Sequence, residues 1–129
     1  TYVQLGRNYQ VPVLLTKEQV EYLDIPLLES DVVVDALLFS MPEHLDGDFD
    51  AFYSETLMNI KPGLNCLLLH AAFDDTEMNA VTKDHPDWGA AWRQADFDFF
   101  SSEKCKKLLE ENAIQLVTWR EIRDKVVRK

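Results

Sequence analysis

"KPGLNCLLLHAAFDDTEM", residues 61–78, decides how the chain is read. A Pro-Gly break opens it, an almost continuous apolar run from Leu64 to Leu69 follows, and the run ends on His70. Short apolar runs bounded by turn residues suit a buried strand, so "LNCLLLH" is predicted as one. Beyond it, Asp74 and Glu77 have the D-x-x-E spacing of a capping box, which predicts Asp74 as the cap of a short helix over Asp75 to Val81. A strand that hands over directly to a helix is the repeating step of a parallel sheet.

The flanks extend this alternation. Upstream, Asp48 suits an N-cap, and Phe49, Phe52, Tyr53, Thr56, Leu57 and Ile60 recur at three- and four-residue spacing, giving a helix that closes at Lys61 to Gly63. The preceding "PEHLDGDFD" reads as a loop, and "DVVVDALLF" (Asp31 to Phe39) reads as strand in part. Thr16 and Gln19 have capping-box spacing at the start of a helix that Pro26 stops, and "VPVLL" (Val11 to Leu15) is a short strand candidate after a helix tail over Tyr2 to Tyr9. Downstream, Pro86 suits a first helical turn, so "PDWGAAWRQADFDFF" begins a helix there and "SEKCKKLLEEN" forms the next. "AIQLVTW" (Ala113 to Trp119) is predicted as a strand and "REIRDKVVRK" as a terminal helix. The expected class is α/β with a mainly parallel sheet and alternating helices, residues 1–129 forming a single domain or the C-terminal fragment of a larger one.

Composition narrows the function classes. With 129 residues and 47% hydrophobic content the chain can bury a core. Thirteen basic against 23 acidic residues give a formal net charge of −10, a field that repels phosphate backbones and anionic lipid, so neither nucleic acid nor a membrane is expected as a partner. No apolar run reaches the roughly 20 residues of a membrane span, and no signal-peptide pattern opens the chain. Cys66 and Cys105 lack metal-type spacing and are expected as buried thiols of a cytoplasmic protein. The chain starts at Thr1 rather than Met, and an upstream portion is expected.

His70 at the end of a predicted strand is the main candidate for chemistry, because parallel α/β sheets gather reactive side chains at strand C-termini. Asp74 and Asp75 follow closely enough to orient an imidazole or, each of them, to cap the helix that follows, and a histidine tied to the backbone at a strand end is the competing reading for His70. His44 and His85 share no metal-ligand spacing and read as loop residues. Trp88, Trp92, Phe99 and Phe100 fill a core or stack on a sugar ring. Arg93 pairs either with Asp96 or with a group across a site. Nothing in the sequence supports a phosphate loop, a serine elbow or a Cys–His pair.

Taken together, "KPGLNCLLLHAAFDDTEM", "DHPDWGAAWRQADFDFF" and "AIQLVTWREI", with the "Y-x-V-P-V" of Tyr9 to Val13, resemble the C-terminal half of YdjC-like (ChbG/HpnK) carbohydrate deacetylases. The resemblance implies the C-terminal part of a (β/α)-barrel-like fold related to polysaccharide deacetylases. It implies a hydrolase of amide bonds that removes N-acetyl groups from amino sugars or related glycans, with a divalent metal, Mg or Zn, whose ligands precede Tyr2. His70 matches the family's late histidine, acting as general acid toward the leaving amine or stabilising the transition state, although Ala71-Ala72 stand where many members have Pro-Gly. Arg93, Trp88 and Asp75 become candidates to hold the sugar. A half-barrel leaves strand edges unpaired, so self-association into a homo-oligomer is expected. A non-catalytic carbohydrate-binding or protein-interaction module is the alternative.

Overall fold

In the computed structural model the described residues are 1–44 and 48–129. The chain divides into two compact units, one made of residues 1–37, 62–66 and 116–129 and the other of residues 38–61 and 67–115.

The first unit opens with α1 (Tyr2–Tyr9), whose N-terminus is capped by the Thr1 hydroxyl accepting from the Gln4 N–H and whose C-terminus turns at Gln10 in the left-handed region. Gly6 lets the chain fold back on this helix: a Cβ there would stand 2.4 Å from Val13 Cγ2. β1 (Leu15–Thr16) pairs in parallel with β2 (Val33–Val34), Leu15 opposite Val33 and Thr16 opposite Val34. Thr16 then caps α2 (Lys17–Tyr22), and both bonds of the expected capping box with Gln19 are formed. Arg7 closes the unit by a forked pair, Nε donating to Asp31 Oδ1 at 3.0 Å and Nη2 to Oδ2 at 2.5 Å, with a further bond to the Pro26 carbonyl. The guanidinium bond holds the Asp31 carboxyl below its usual range and raises Arg7 in turn.

Asp35 ties the strand region to the turn at Gly63. Its N–H donates to the Leu64 carbonyl at 2.7 Å, its carboxylate accepts from the Leu64 N–H at 2.8 Å, and Lys17 Nζ lies 2.7 Å away. These bonds keep the Asp35 carboxyl low, the lysine contributing most. Gly63 has a φ of 130°, and a Cβ there would sit 2.3 Å from Asp35 Oδ2. Both the conformation and the space demand glycine.

β3 (Ala36–Phe39) and β4 (Asn65–Leu68) form the other two-stranded sheet. The second unit is then helical: α3 (Phe49–Met58), α4 (Thr76–Val81), α5 (Ala90–Phe100) and α6 (Glu103–Glu111). Its core joins Tyr53 and Leu57 of α3, Phe99 of α5, and Cys105 and Leu108 of α6, with Leu67 and Ile114 packed against them. Asp48 caps α3 and Ser102 caps α6, each accepting the N–H three residues on. Both thiols are free and burial pushes them up, which keeps them out of the reactive thiolate form. The first unit regains the chain as α7 (Trp119–Ile122), under a second full capping box from Thr118 and Glu121, followed by a π-helical turn over Arg123–Val127. No helix among the described residues is long and apolar enough to cross a membrane.

The mainly parallel sheet of an α/β fold is therefore corrected. Helix makes up 51% of the structure and strand 10%, in two short parallel pairs, which is not a (β/α)-barrel-like arrangement. "AIQLVTW" shows why. Residues 114–118 run extended but join no ladder, Leu116 is 76% exposed, and Thr118 is spent on capping α7. An apolar stretch becomes a strand only when another strand accepts its N–H and C=O groups, which composition cannot supply. In "VPVLL" Pro12 has no N–H to give and the Val11 N–H goes to the Gly6 carbonyl, so pairing starts only at Leu15. Pro86 opens a single 3₁₀ turn, Pro86–Trp88, and α5 begins after Gly89. Pro42–His44 is another such turn, while Leu45 to Gly47 of the expected loop lie outside the described residues.

Gly63→Ala is expected to destabilise the fold by more than about 1 kcal/mol, read as a lower urea midpoint at unchanged m-value. A variant as stable as the parent would show that Asp35 yields without cost.

Candidate functional site

The residues of interest gather in the second unit around α5. Trp92, Asp96 and Phe99 form its buried stripe, with Ala90 buried in the first turn, so Asp96 sits at a position where the helix otherwise offers apolar side chains. Asp96 is 0% exposed. A carboxylate removed from water needs hydrogen-bond donors, and two reach it from different elements. Tyr53 of α3 donates its hydroxyl to Asp96 Oδ1, and the His70 backbone N–H donates to Oδ2 at 2.8 Å. Ser40 Oγ lies 3.0 Å from the same phenol oxygen. One phenol proton cannot serve both acceptors; with the carboxylate the stronger one, the Ser40 hydroxyl turns its own proton toward Tyr53. Burial first, and Asp96 second, push the Tyr53 phenol well above its ordinary value.

The segment leaving β4 is laid along α5 by alternate amides. After His70, the Ala72 N–H donates to the Arg93 carbonyl at 3.1 Å and the Asp74 N–H to Gln94 Oε1 at 2.8 Å. Donors at 70, 72 and 74 point one way, as in an extended strand, but their acceptors belong to a helix. Phe73 adds a ring contact to Phe97, centroids 4.7 Å apart.

His70 lies two residues past the end of β4, and its side chain is exposed. The imidazole makes no hydrogen bond among the described residues. Neither aspartate orients it. Asp75 is the true N-cap of α4, accepting from the Met78 N–H at 2.9 Å, which corrects the expectation that Asp74 caps it through Glu77. The reason lies in the backbone: residue 75 has the extended conformation an N-cap requires, and Asp74 accepts instead from the Asn79 amide at 2.6 Å. Arg93 does not pair with Asp96. Its Nε donates to the Trp88 carbonyl at 3.1 Å, because Asp96 points into the core while Arg93 stays partly exposed. Trp88 is 41% exposed with its ring 5.9 Å from the buried Trp92, and His85 joins only through its backbone, the N–H donating to the Thr82 carbonyl. His44 accepts the Met41 N–H on Nδ1 and stacks on Phe52 at 3.8 Å.

The implied metal does not fit these residues: among the described residues no three of His, Cys, Asp or Glu converge on one point. Tyr53, Ser40 and Asp96 in its buried role were missed by sequence reasoning. Two signals pointed to them: Asp96 shares its helical face with Trp92, four residues before, and Phe99, three after, and a tyrosine on the core stripe of a helix needs a partner for its hydroxyl. No family model matches the sequence, and no curated protein matches it either.

Because the folded state holds Tyr53 protonated, its stabilisation is complete below the ordinary tyrosine pKa near 10 and is lost as pH rises beyond it. Tyr53→Phe is expected to cost about 1–3 kcal/mol at neutral pH. The variant should then lose less stability than the parent between about pH 9 and 11, measured by urea unfolding across that range.

Proposed function

We propose that this chain provides the His70-bearing portion of a hydrolase that removes N-acetyl groups from amino sugars or related glycans. One observation carries the reading: His70 combines a main chain bonded to a buried carboxylate with an imidazole that is exposed and uncommitted. A general acid needs that combination, since it must be held in place yet free to meet the substrate. Water bonds through its oxygen to the acyl carbon, the C–N bond breaks, the protonated imidazole gives its proton to the departing amine nitrogen, and the proton that the water loses restores it, leaving free amine and acetic acid. The resemblance of the segments around His70, Trp88–Phe100 and Ala113–Ile122 to YdjC-like deacetylases supports the same chemistry. The divalent metal that the resemblance implies draws its ligands from outside the described residues.

A second reading rests on Trp88. Its half-exposed ring beside Trp92 could stack on a sugar without any reaction, giving a carbohydrate-binding module. The two readings differ in what leaves the substrate.

The test is acetate release from N-acetylglucosamine oligomers by the full product of the gene that encodes this chain. His70→Ala is expected to lower kcat by about 100-fold or more, with unfolding free energy within about 0.5 kcal/mol of the parent because the side chain is exposed and unbonded. Undiminished turnover in that variant would remove His70 from the mechanism. Oligomer binding without acetate release, weakened by Trp88→Ala, would favour the binding module.

A further inference from the structure

We infer that Asp96 is a positioning residue, whose bond to the His70 amide fixes the main chain that presents the His70 imidazole. The inference rests on the reading of His70 as the reactive group. Of the three acceptors that hold the 70–74 segment to α5, Asp96 differs in kind. The Arg93 carbonyl belongs to a partly exposed residue, and Gln94 Oε1 sits on a side chain that also donates to Asp98 at 2.7 Å. Asp96 is fully buried, and its other oxygen is held by Tyr53 from the middle of the core. Tyr53 is itself 0% exposed and surrounded by Phe49, Phe52, Phe99 and Phe100, with ring centroids 4.8 to 6.0 Å away. The rigid aromatic core thus reaches the His70 backbone through one carboxylate.

Most side-chain hydrogen bonds go to the backbone, so the informative point is which amide the carboxylate takes. Here one of its two oxygens is committed to the residue that carries the candidate reactive side chain, at the point where the chain has left β4 and has no ladder bonds. Rotation of the segment about residues 69–71 would move the imidazole without disturbing any other packed side chain of His70, since it has none. The Asp96 bond opposes that motion at His70 itself, where the Ala72 and Asp74 bonds act two and four residues on, and a displacement of about 1 Å at a reacting group can cost on the order of 100-fold in rate.

The experiment uses the same full gene product and compares Asp96→Ala, Asp96→Asn and Leu57→Ala. Asp96→Ala removes the acceptor; Asp96→Asn keeps one carbonyl oxygen for the His70 N–H; Leu57→Ala loosens the same core at a site remote from that bond. For Asp96→Ala we expect kcat to fall by about 100-fold with little change in KM, and His70 amide exchange to quicken by at least about tenfold relative to the other amides of the protein. Asp96→Asn should recover most of both, and Leu57→Ala should change neither at a temperature where it remains folded. A folded Asp96→Ala protein with parental kcat and His70 protection would overturn the inference, as would equal losses in Leu57→Ala. Should Asp96→Ala fail to fold, the near-isosteric Asp96→Leu, which also removes the acceptor, decides: loss of turnover and of His70 protection is expected, and parental values of both would overturn the inference. If the parent protein releases no acetate, the functional reading fails, and amide exchange at His70 still settles whether Asp96 fixes the segment.

Discussion

A carboxylate in the middle of an aromatic core is the constraint on which the second unit depends. Removing a polar group from water is costly, and the cost is met only while its hydrogen bonds stay intact. Asp96 therefore dictates where two other elements go. Tyr53 must be placed so that its hydroxyl meets Oδ1, which sets how α3 lies against α5, and the chain leaving β4 must bring the His70 N–H to Oδ2. Apolar packing alone tolerates many arrangements of similar area. A buried charge with two named donors tolerates few.

The first unit solves its polar problem differently. Asp35 faces Lys17 at the surface, where solvent shares the work and the pair contributes modestly, whereas the Asp31 side chain is only 6% exposed beneath Arg7. Their importance is geometric. Asp31 accepts the Leu28 N–H at 2.8 Å as well as the Arg7 fork, and Asp35 exchanges bonds in both directions with Leu64. At each aspartate a backbone bond, from the Asp31 N–H to the Leu28 carbonyl and from the Asp35 N–H to the Leu64 carbonyl, is doubled by a carboxylate that accepts the same partner's N–H, and the positive φ of Gly63 is the conformational condition for the second of them.

Local chemistry was legible in the sequence, and long-range pairing was not. Thr16 with Gln19, Asp48 and the Ser102 region announced their helices because a cap is written within four residues, and the structure forms each bond. "AIQLVTW" failed because its apolar content fits a strand equally whether or not a partner strand exists. Asp74 and Asp75 are equivalent as letters, and the backbone angles that pick residue 75 as the cap depend on the Asp74 N–H being held by Gln94, twenty residues on. Asp96 was misread for a related reason. Three residues from Arg93, it looked like half of an ion pair, whereas the same spacing rule applied to Trp92 and Phe99 puts it on the inward face. The position of His70 just past a strand was readable; the carboxylate behind its backbone was not.

That last arrangement bears on how an exposed histidine can be functional without a partner side chain. In many sites a carboxylate bonds the imidazole and so fixes both its direction and its tautomer. Here the carboxylate acts one step earlier, on the amide of the same residue, and leaves both ring nitrogens free. The direction of the side chain is then limited by the backbone that the carboxylate holds. Under the proposed reading, such a residue gives a proton to a bound partner rather than holding one in a closed network. On the proposed reading its chemistry is completed from outside the 70–74 segment, because Asp74 is taken by the Asn79 amide and Asp75 by the Met78 N–H.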